Sequence, residues 1–545
     1  MIRIENLSVA FDGPEVVKNV TLEIKDGEIL GVVGESGCGK SVTALTLMGL
    51  VSETAQVTSG RILFDDVELL EAGKPRDKAL YRSYQGDQMS MVFQEPMTSL
   101  NPTQRVGRQV DEVLRLHTKL APEERKAKVL ETLRAVGLKE DEKVYASYPH
   151  QLSGGMRQRV MIAMAVILHP RLLVADEPTT ALDVTVQNQI IALLREINEK
   201  QKNAMLFITH DLNLARRICH RIVVMKDGCV VEQGETEQIF EHPVQAYTRQ
   251  LIEAVPSRVK KHKSLNLAAG IDKPVMTSEL QGGISASQGG TAKSEEPAPV
   301  VQVSNLSVYY QDGSNSLFGR RRRSRVVKGA DFELYPGESL GLVGESGCGK
   351  TTLSKALLGM IRDTEGLVVH NTLRPQMIFQ DPYSSLNPTK TVGWLLQEPL
   401  RAQGIIDSSL AMTKADMESA AYDMLHRVGM EDMYFHRKPS QLSGGQRQRV
   451  SIAQALITHP GFIVADEPVS ALDVTIQAQI MELMQKLQQE MGLSYLFISH
   501  DINVVYRMCD RIMIMQEGKI IEIGETEEIF NHPKEEYTKL LLCNS

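Results

Sequence analysis

The chain has 545 residues, too many for one hydrophobic core, so two or more domains are expected. A net charge of −8 argues against a general nucleic-acid binder, which is usually basic. No run of 18 apolar residues occurs, and the N-terminus does not resemble a signal peptide, so we expect a chain that stays in the cytoplasm. The six cysteines form no C-x-x-C pair, which predicts reduced thiols without a disulfide framework.

One pattern, G-x-x-x-x-G-K-[ST], occurs twice between an apolar run and a helix-like segment. Its glycines let backbone N–H groups approach phosphate oxygens at a helix N-terminus. We expect the lysines to bind the β- and γ-phosphates and the final hydroxyl residues to hold Mg²⁺. The predicted loops are Gly34, Glu35, Ser36, Gly37, Cys38, Gly39, Lys40 and Ser41, and Gly344, Glu345, Ser346, Gly347, Cys348, Gly349, Lys350 and Thr351.

The strands and helices around these loops are predicted in the same order in both halves. Alternating apolar residues predict strands at 2–9 and 20–24, and again at 301–308 and 330–334. Phe11 and Tyr310 follow the first strand of each half, where a ring either stacks on a nucleotide base or belongs to the core. Amphipathic patterns at 123–136 and 415–428 predict helices of a helical subdomain inserted into an α/β core.

The sequences QLSGGMRQRV and QLSGGQRQRV come next in the two halves. Ser-Gly-Gly before a helix is typical of an anion-binding N-terminus, although an isolated copy is most often an ordinary cap. The residues concerned are Ser153, Gly154, Gly155, Ser443, Gly444 and Gly445.

Two carboxylates end a buried strand in each half, in LLVADEP and FIVADEP. Asp176 and Asp466 are expected to hold the Mg²⁺ of a nucleotide, and Glu177 and Glu467 to polarise the attacking water. Another strand of each half ends in a histidine, His210 or His500. In both halves, the aspartate of ADEP lies 23 residues after the serine of LSGG, and the histidine lies 34 residues after that aspartate. Equal spacing predicts that the two halves share one site geometry.

Between the halves, residues 257–298 are rich in Gly, Ser, Ala, Lys and Glu, as in a flexible tether. The predicted domains are therefore residues 1–256 and 299–545, joined by the linker 257–298. An arginine run at 320–325 is interpreted either as a solvated loop or as a contact with phospholipid head groups.

The chain resembles the ATPases of ATP-binding cassette (ABC) transporters, because each half contains the same motifs in the same order. These motifs are the phosphate loop, a glutamine (Gln94 or Gln380), LSGG, ADEP, ALD and the histidine. The SLNPT and HP…YT segments resemble the oligopeptide, dipeptide and nickel importers, with a D-type first half and an F-type second half. The resemblance implies two tandem nucleotide-binding domains, each a phosphate-loop α/β core with an antiparallel β-subdomain and an inserted α-helical subdomain.

The resemblance also implies an intramolecular pseudo-dimer in which each phosphate loop faces the LSGG of the other half, with two ATP molecules and Mg²⁺ between them. Gln94 and Gln380 would act in catalysis and as metal ligands, and Asp183 and Asp473 would communicate between the halves. The implied sites are Gly34–Ser41, Gln94, Asp176, Glu177 and His210 with Ser443–Gly445, and Gly344–Thr351, Gln380, Asp466, Glu467 and His500 with Ser153–Gly155.

The implied function is ATP hydrolysis that drives import at the cytoplasmic face of the cell membrane. The implied partners are two integral-membrane permease subunits and an extracytoplasmic solute-binding protein, without nucleic acid. The alternatives are a tandem ATPase that acts on ribosomes and an importer of nickel or metal chelates. Two departures from the family pattern are notable. Met156 stands where many relatives have Gln. Some relatives carry a cysteine cluster for an iron–sulfur centre, but the segments after Pro256 and after Leu542 contain only Cys543, so no iron–sulfur cluster is expected.

Overall fold

A computed structural model describes residues 1–545 except 75, 96–98, 180–181, 183, 256–297, 312–322, 346, 373, 471 and 544–545. We call residues 1–255 the first half and residues 298–543 the second half. The predicted linker, Asp183, Ser346 and the arginines at 320–322 lie outside the described residues, and the proposed domain boundaries stay a prediction.

The first half contains ten strands and ten helices that the structure bounds. The strands are β1 (Ile2–Phe11), β2 (Glu15–Ile24), β3 (Ile29–Val33), β4 (Ala55–Phe64), β5 (Val67–Glu71), β6 (Met89–Val92), β7 (Leu172–Asp176), β8 (Ala204–Ile208), β9 (Arg221–Lys226) and β10 (Cys229–Glu235). The helices are α1 (Lys40–Leu47), α2 (Lys78–Tyr84), α3 (Val106–His117), α4 (Pro122–Ala135), α5 (Asp141–Ala146), α6 (Gly154–Val166), α7 (Val184–Gln201), α8 (Leu212–Ile218), α9 (Thr236–Glu241) and α10 (Ala246–Ala254).

The second half repeats this order. Its strands are β11 (Val301–Gln311), β12 (Arg323–Leu334), β13 (Ser339–Val343), β14 (Thr364–His370), β15 (Gln376–Ile378), β16 (Phe462–Asp466), β17 (Ser494–Ile498), β18 (Arg511–Gln516) and β19 (Lys519–Glu525). Its helices are α11 (Lys350–Leu357), α12 (Pro382–Ser385), α13 (Val392–Ile406), α14 (Lys414–Arg427), α15 (Gly444–Leu456), α16 (Val474–Met491), α17 (Ile502–Met508), α18 (Thr526–Asn531) and α19 (Glu536–Cys543).

The central sheet of each half has six strands, in the orders β10-β9-β3-β8-β7-β6 and β15-β16-β17-β13-β18-β19. Neighbouring strands are parallel, except that β10 and β19 are antiparallel to their neighbours. Every residue of β3, β7 and β8 is buried. Such continuous apolar strands are expected where a parallel sheet is covered on both faces.

A separate antiparallel sheet lies over one face, in the orders β2-β1-β4-β5 and β12-β11-β14. Leu30 and Val32 pack in the cluster that contains this antiparallel sheet, whereas Ile29 and Val33 pack in the cluster that contains the helices. Successive residues of a strand point to opposite faces, so β3 joins the two layers of the core.

The inserted helical subdomain packs through apolar residues at helical spacing. In α3 these are Val106, Val110 and Leu114, and in α4 they are Val129 and Leu133, all fully buried. The repeat every four residues places them on one helix face. The predicted fold class, an α/β core with an antiparallel β-subdomain and an inserted helical subdomain in each half, is confirmed.

The hairpins that join β9 to β10 and β18 to β19 have two-residue turns, as Asp-Gly and Glu-Gly between apolar runs predict. Asp227 and Gly228 have φ values of 50° and 86°, and Glu517 and Gly518 have 46° and 83°. Two consecutive positive φ values are what a two-residue type I′ turn requires. Strand β2 begins at Glu15, earlier than the predicted residue 20, because Ala10 pairs with Glu15 and Val9 with Val17. In the described part of the chain, no helix is long and apolar enough to cross a membrane.

Candidate active site

The carboxyl ends of the parallel strands bring the predicted site residues together. In the first half, β3 leads into the phosphate loop, β6 leads to Gln94, β7 ends at Asp176 and β8 leads to His210. The second half places its equivalents at the same edge of its own sheet. Ligands of open α/β sheets bind at this edge because the connecting loops diverge there.

Each phosphate loop is closed by its own lysine. The Nζ of Lys40 donates hydrogen bonds to the carbonyl oxygens of Gly34 and Glu35, both at 2.8 Å. The Nζ of Lys350 donates to the corresponding carbonyls of Gly344 and Glu345 at 2.7 and 2.9 Å. The lysines are only 5% and 7% exposed, so each cationic group sits inside a ring of backbone.

The loop glycines are required by close backbone contacts. A Cβ on Gly34 would lie 2.2 Å from the carbonyl oxygen of Met225, and a Cβ on Gly344 would lie 2.2 Å from that of Met515. Gly39, just before α1, has a φ of 98°, in the left-handed region that glycine adopts without a penalty. No other residue fits at these positions without moving the strand beside the loop.

A hydroxyl and a carboxylate face each other beside each loop. The Ser41 hydroxyl donates to Asp176 at 3.0 Å, and the Thr351 side chain lies beside Asp466, where it acts to lower the pKa of that carboxyl. Burial raises the pKa of Asp176 to about 6, although the bond from Ser41 opposes this shift. Burial likewise raises the pKa of Asp466. Buried carboxylates that favour a proton are well placed to accept a cation instead.

The donor set at these pairs fits Mg²⁺. Oxygen is its preferred ligand, and Mg²⁺ in nucleotide sites usually takes only one or two protein ligands in addition to phosphates. Among the described residues, no group of three or more His, Cys, Asp or Glu side chains is arranged to hold a metal ion by itself.

The second acidic residue of each strand end is held by two side chains. The Gln94 amide donates to Glu177 at 2.8 Å, and the Nδ1 of His210 lies 3.3 Å from the same carboxylate oxygen. In the second half, Gln380 donates to Glu467 at 2.7 Å, and His500 lies 3.2 Å from it. The structure therefore brings together the three side chains predicted as catalytic in each half.

The opposite charges of the glutamate and the histidine shift pKa values in both halves. Burial by itself would lower the pKa of His500, but the Glu467 carboxylate outweighs burial and raises it. Burial would raise the pKa of Glu467, and the bond to His500 lowers it below its usual range. His210 shows the same upward shift, again against burial and because of Glu177. A glutamate that stays ionised is what a base for water requires.

Glu177 and Glu467 share an uncommon backbone conformation. Their φ values are 46° and 47°, and their N–H groups donate to the carbonyls of Ile208 and Ile498, both at 3.0 Å. A left-handed residue with a Cβ costs about 1–2 kcal/mol. Such strain concentrates at functional sites, where the surrounding structure holds it.

The Ser-Gly-Gly motifs lie at helix N-termini, as predicted. Ser153 caps α6 through the N–H of Met156, and Ser443 caps α15 through the N–H of Gln446. The side chain of Gln446 also accepts from the N–H of Ser443 at 2.9 Å and donates to the hydroxyl of Tyr434 at 2.9 Å. Met156 has neither group and packs against the helical core, so the two motifs differ in their support.

The two predicted base-stacking aromatics differ in exposure. Tyr310 is 44% exposed, whereas Phe11 is half-buried and packs against the core cluster of the antiparallel sheet. Tyr310 therefore presents more of its side chain to solvent than Phe11 does, and stacking on a base stays a prediction for both residues.

Two residue pairs join the two halves directly at the first phosphate loop. Ser36 donates to the carboxylate of Asp473 from its backbone N–H at 2.8 Å and from its hydroxyl at 2.6 Å. Thr475 donates to the carboxylate of Glu35 at 3.0 Å. The sequence singled out Asp473 but not Thr475. The signal was present, since DVT follows AL in both halves.

Comparison with known proteins agrees with this geometry. The ABC transporter family matches residues 17–180 and 327–470, which together exceed half of the chain. The family described as Oligopeptide/dipeptide transporter, C-terminal region, matches residues 231–282 and 521–545.

Relatives match along the full length. Glutathione import ATP-binding protein GsiA of Salmonella choleraesuis (strain SC-B67) is 41% identical over 571 residues, which cover 100% of this chain and 89% of that protein. Its counterpart in Escherichia coli (strain K12) is 41% identical over 568 residues, with the same coverage.

A solved structure supports the tandem arrangement of the fold. The complex of archaeal ribosomal stalk protein aP1 and archaeal ribosome recycling factor aABCE1 matches with a TM-score of 0.59 at 20% identity, over 94% of this chain and 88% of that chain. At that identity the likeness shows the fold alone.

With its fold and its paired phosphate-loop sites, the chain belongs to the ABC transporter family and is an ATP-binding ATPase. More particularly, it is the ATP-hydrolysing, energy-coupling subunit of an importer for peptides or related solutes, and it works with membrane permease partners. The resemblance drawn from the motifs is confirmed. A tandem ATPase acting on ribosomes is not favoured, since the full-length relatives are import proteins.

Proposed function

We propose that the two halves form an intramolecular pseudo-dimer with two composite ATP sites in the interface. In the first site, residues 34–41 hold the phosphates and Ser443–Gly445 of the other half cover them. In the second site, residues 344–351 pair with Ser153–Gly155. Each half thus completes the nucleotide site of the other.

The pair of contacts made by Asp473 and Thr475 is the observation that carries this proposal. Both residues flank the start of α16 in the second half, and both bond to the first phosphate loop. A helix N-terminus that faces a phosphate loop adds favourable partial positive charge near the nucleotide. Because the interface between the halves includes the first phosphate loop, we expect closure of the two halves to depend on whether that loop holds a nucleotide.

The proposed chemistry is attack of water on the γ-phosphate. Glu177 and Glu467 act as the bases that polarise this water, and Gln94, Gln380, His210 and His500 hold the two carboxylates in place. Lys40 and Lys350 exchange their loop carbonyls for phosphate oxygens when ATP enters. Phosphoryl transfer demands mainly positioning and charge stabilisation, which these groups provide.

Mg²⁺ would be held by Ser41, Asp176 and Gln94 in the first site and by Thr351, Asp466 and Gln380 in the second. When bound, Mg²⁺ neutralises charge that develops on the phosphate oxygens. Tyr310 and Phe11 are the aromatic side chains proposed to contact the adenine base.

We propose a groove in the second half as the docking place of a short cytoplasmic segment of a permease. It is a cavity of about 460 Å³ between α13, α15 and β15, lined among others by Phe379, Glu398, Ile406 and Thr458. Phe379 is 40% exposed and Ile406 is 87% exposed, and beside polar lining residues such as Glu398 they form a mixed surface that suits an amphipathic helix.

The groove is adjacent in sequence to the catalytic glutamine. Phe379 precedes Gln380, whose amide is bonded to Glu467. A displacement of Phe379 by a docked segment would therefore act on Gln380, the next residue, and through its hydrogen bond on Glu467. In the first half, Phe93 is 38% exposed and precedes Gln94 in the same way.

This docking is tested by charge substitution. Ile406→Asp should reduce co-purification with the permeases at least several-fold, while ATP hydrolysis by the isolated chain stays within twofold. Ile405→Asp is the matched control, because Ile405 is equally exposed at 85% but does not line the groove. Equal co-purification of both variants with the permeases would contradict the groove as a docking site.

We propose that the complete importer has two permease subunits and an extracytoplasmic solute-binding protein, and that this chain works at the cytoplasmic face of the membrane. The relatives named for glutathione import favour glutathione or another short peptide as the solute. Nickel or metal chelates, the alternative solutes drawn from the sequence, are not favoured, since the full-length relatives are named for glutathione import.

Reconstitution with the co-purifying permeases and binding protein tests the proposal. ATP hydrolysis should be stimulated several-fold by glutathione or short peptides in the presence of the binding protein. Stimulation by a nickel chelate and not by peptides would replace the peptide assignment, and no stimulation by any solute would contradict coupling to import.

A further inference from the structure

The C-terminal segment of the second half folds back onto its last hairpin and is fixed there by Glu522. This glutamate on β19 is 8% exposed and accepts hydrogen bonds from the N–H groups of Lys534 at 3.0 Å and Glu535 at 3.3 Å. Its other contact is the hydroxyl of Thr538, which donates at 2.5 Å. Burial would raise the pKa of Glu522, but these three bonds outweigh it and lower the pKa below the usual range.

This anchored segment reaches the phosphate loop through Tyr537, on the first turn of α19. The Tyr537 hydroxyl accepts a hydrogen bond from the backbone N–H of Glu345 at 3.1 Å. The carbonyl of Glu345 accepts from the Nζ of Lys350 at 2.9 Å. One residue of the loop is thus bonded on its N–H side to the C-terminal segment and on its carbonyl side to the phosphate-binding lysine.

The first half has the same clamp and the same tyrosine but not the same bond. Glu232 accepts from the N–H groups of Val244 at 2.8 Å and Gln245 at 3.0 Å. Tyr247 is 8% exposed, and its hydroxyl lies near the Glu35 backbone in the corresponding place, but this contact falls short of hydrogen-bond geometry. The carboxylate of Glu35 is instead bonded to Thr475 of the second half.

We propose that Tyr537 is a positioning residue for the second nucleotide site, acting through the N–H of Glu345. A glycine-rich loop loses more conformational freedom on ordering than other backbone. A bond that fixes its second residue before the nucleotide arrives lowers the cost of binding. The inference rests on the proposal that residues 344–351 hold the phosphates.

The test is a titration of the full chain with a fluorescent ATP analogue. Lys40→Ala removes the lysine of the first site, so the titration reports mainly the second. In this background, Tyr537→Phe should weaken binding about fivefold, the change expected for one net hydrogen bond. With both lysines present, the same variant should raise the KM for ATP and leave kcat at saturating ATP within twofold.

The matched control is Tyr247→Phe in a Lys350→Ala background. It removes a hydroxyl whose contact with the Glu35 backbone falls short of hydrogen-bond geometry, so it should change binding at the first site by less than twofold. Tyr537→Leu is compared with Tyr537→Phe, since the phenylalanine variant keeps the ring and loses only the hydroxyl.

Wild-type affinity in Tyr537→Phe, with loss only in Tyr537→Leu, would overturn the proposal in favour of ring packing. Parallel losses of melting temperature, kcat and affinity in Tyr537→Phe would overturn it in favour of a purely structural role. Lys350→Ala in the Lys40→Ala background is measured beside these variants. Unchanged binding there would refute the proposed nucleotide site itself and not the tyrosine.

Discussion

Asp473 accepts two hydrogen bonds from Ser36, one from the backbone N–H at 2.8 Å and one from the hydroxyl at 2.6 Å, although the two residues belong to different halves of the chain. Hydrogen bonds to an ionised acceptor are shorter and stronger than bonds between neutral groups. Asp473, at the N-cap position of α16, is therefore hydrogen-bonded to the loop that is proposed to hold ATP.

Asp473→Ala should weaken the ATP-bound association of the halves at the first site. Loss of charge-assisted bonds of this kind costs about 2 kcal/mol, on the order of 30-fold in an equilibrium constant. We expect the KM for ATP to rise accordingly, measured from the ATP dependence of hydrolysis. Asp473→Asn keeps an acceptor oxygen and should show a smaller rise. An unchanged KM in the alanine variant would remove this contact from the closing step.

Glu177→Gln combined with Glu467→Gln should trap ATP in the closed chain. The amide keeps the size of the side chain but loses the basic oxygen that polarises water, so hydrolysis should fall on the order of a hundredfold or more. Retention of radiolabelled ATP after gel filtration measures the trap. Undiminished turnover would take both glutamates out of the proposed chemistry.

Ser153→Arg should impair the site built on Lys350 and spare the site built on Lys40. The reason is the proposed pairing across the interface, where the Ser-Gly-Gly of the first half covers the nucleotide of the second. Photo-crosslinking of an azido-ATP, followed by proteolytic separation of the halves, reports each site by itself. Ser443→Arg is the reciprocal control, and labelling lost in the half that carries the substitution would contradict the pairing.

Glu522→Gln should lower stability at neutral pH and have little effect in acid. Because the folded-state pKa of Glu522 lies below its unfolded value, its stabilising contribution is present above about pH 4.3 and is lost as the pH falls through the folded pKa. Hydrogen bonds to a buried charge are worth about 1.5–3 kcal/mol. The melting temperature of the variant should be below that of the wild type at pH 7, and the gap should narrow as the pH falls below about 4.3, where Glu522 becomes protonated first in the unfolded and then in the folded chain.

Glu528→Gln is the matched control for that series. Glu528 is about half exposed and pairs with Lys534 at 2.9 Å, an exposed ion pair that is screened by solvent and contributes little to stability. Its melting temperature should follow the wild type across the whole pH range. A gap for Glu522→Gln that stays constant as the pH falls from 7 to about 2 would mean that the charge of Glu522 is not what holds the C-terminal segment.

Local sequence patterns predicted most of the strands and helices of the fold. The apolar runs before each loop predict buried strands, and the amphipathic patterns at 123–136 and 415–428 predict helices that the structure has at Pro122–Ala135 and Lys414–Arg427. Strand β4 (Ala55–Phe64) was not predicted, because its exposed residues leave no regular alternation.

Contacts between distant residues were the part that the sequence did not predict. Glu345 and Tyr537 are 192 residues apart, and Ser36 and Asp473 are 437 apart. Periodicity reports which face of an element is buried but not which element covers it. Roles at single sites came from repeated motifs, whereas Thr475 and Tyr537 lie outside the quoted phosphate-binding motifs and became interpretable only through their hydrogen bonds.

The bond from Ser36 to Asp473 is formed within one polypeptide. Engagement of the halves is therefore a first-order event, so its rate does not depend on protein concentration and dilution does not separate the partners. Synthesis as one chain also fixes their ratio at one to one. A cell that makes this protein never has an excess of one half without its complement.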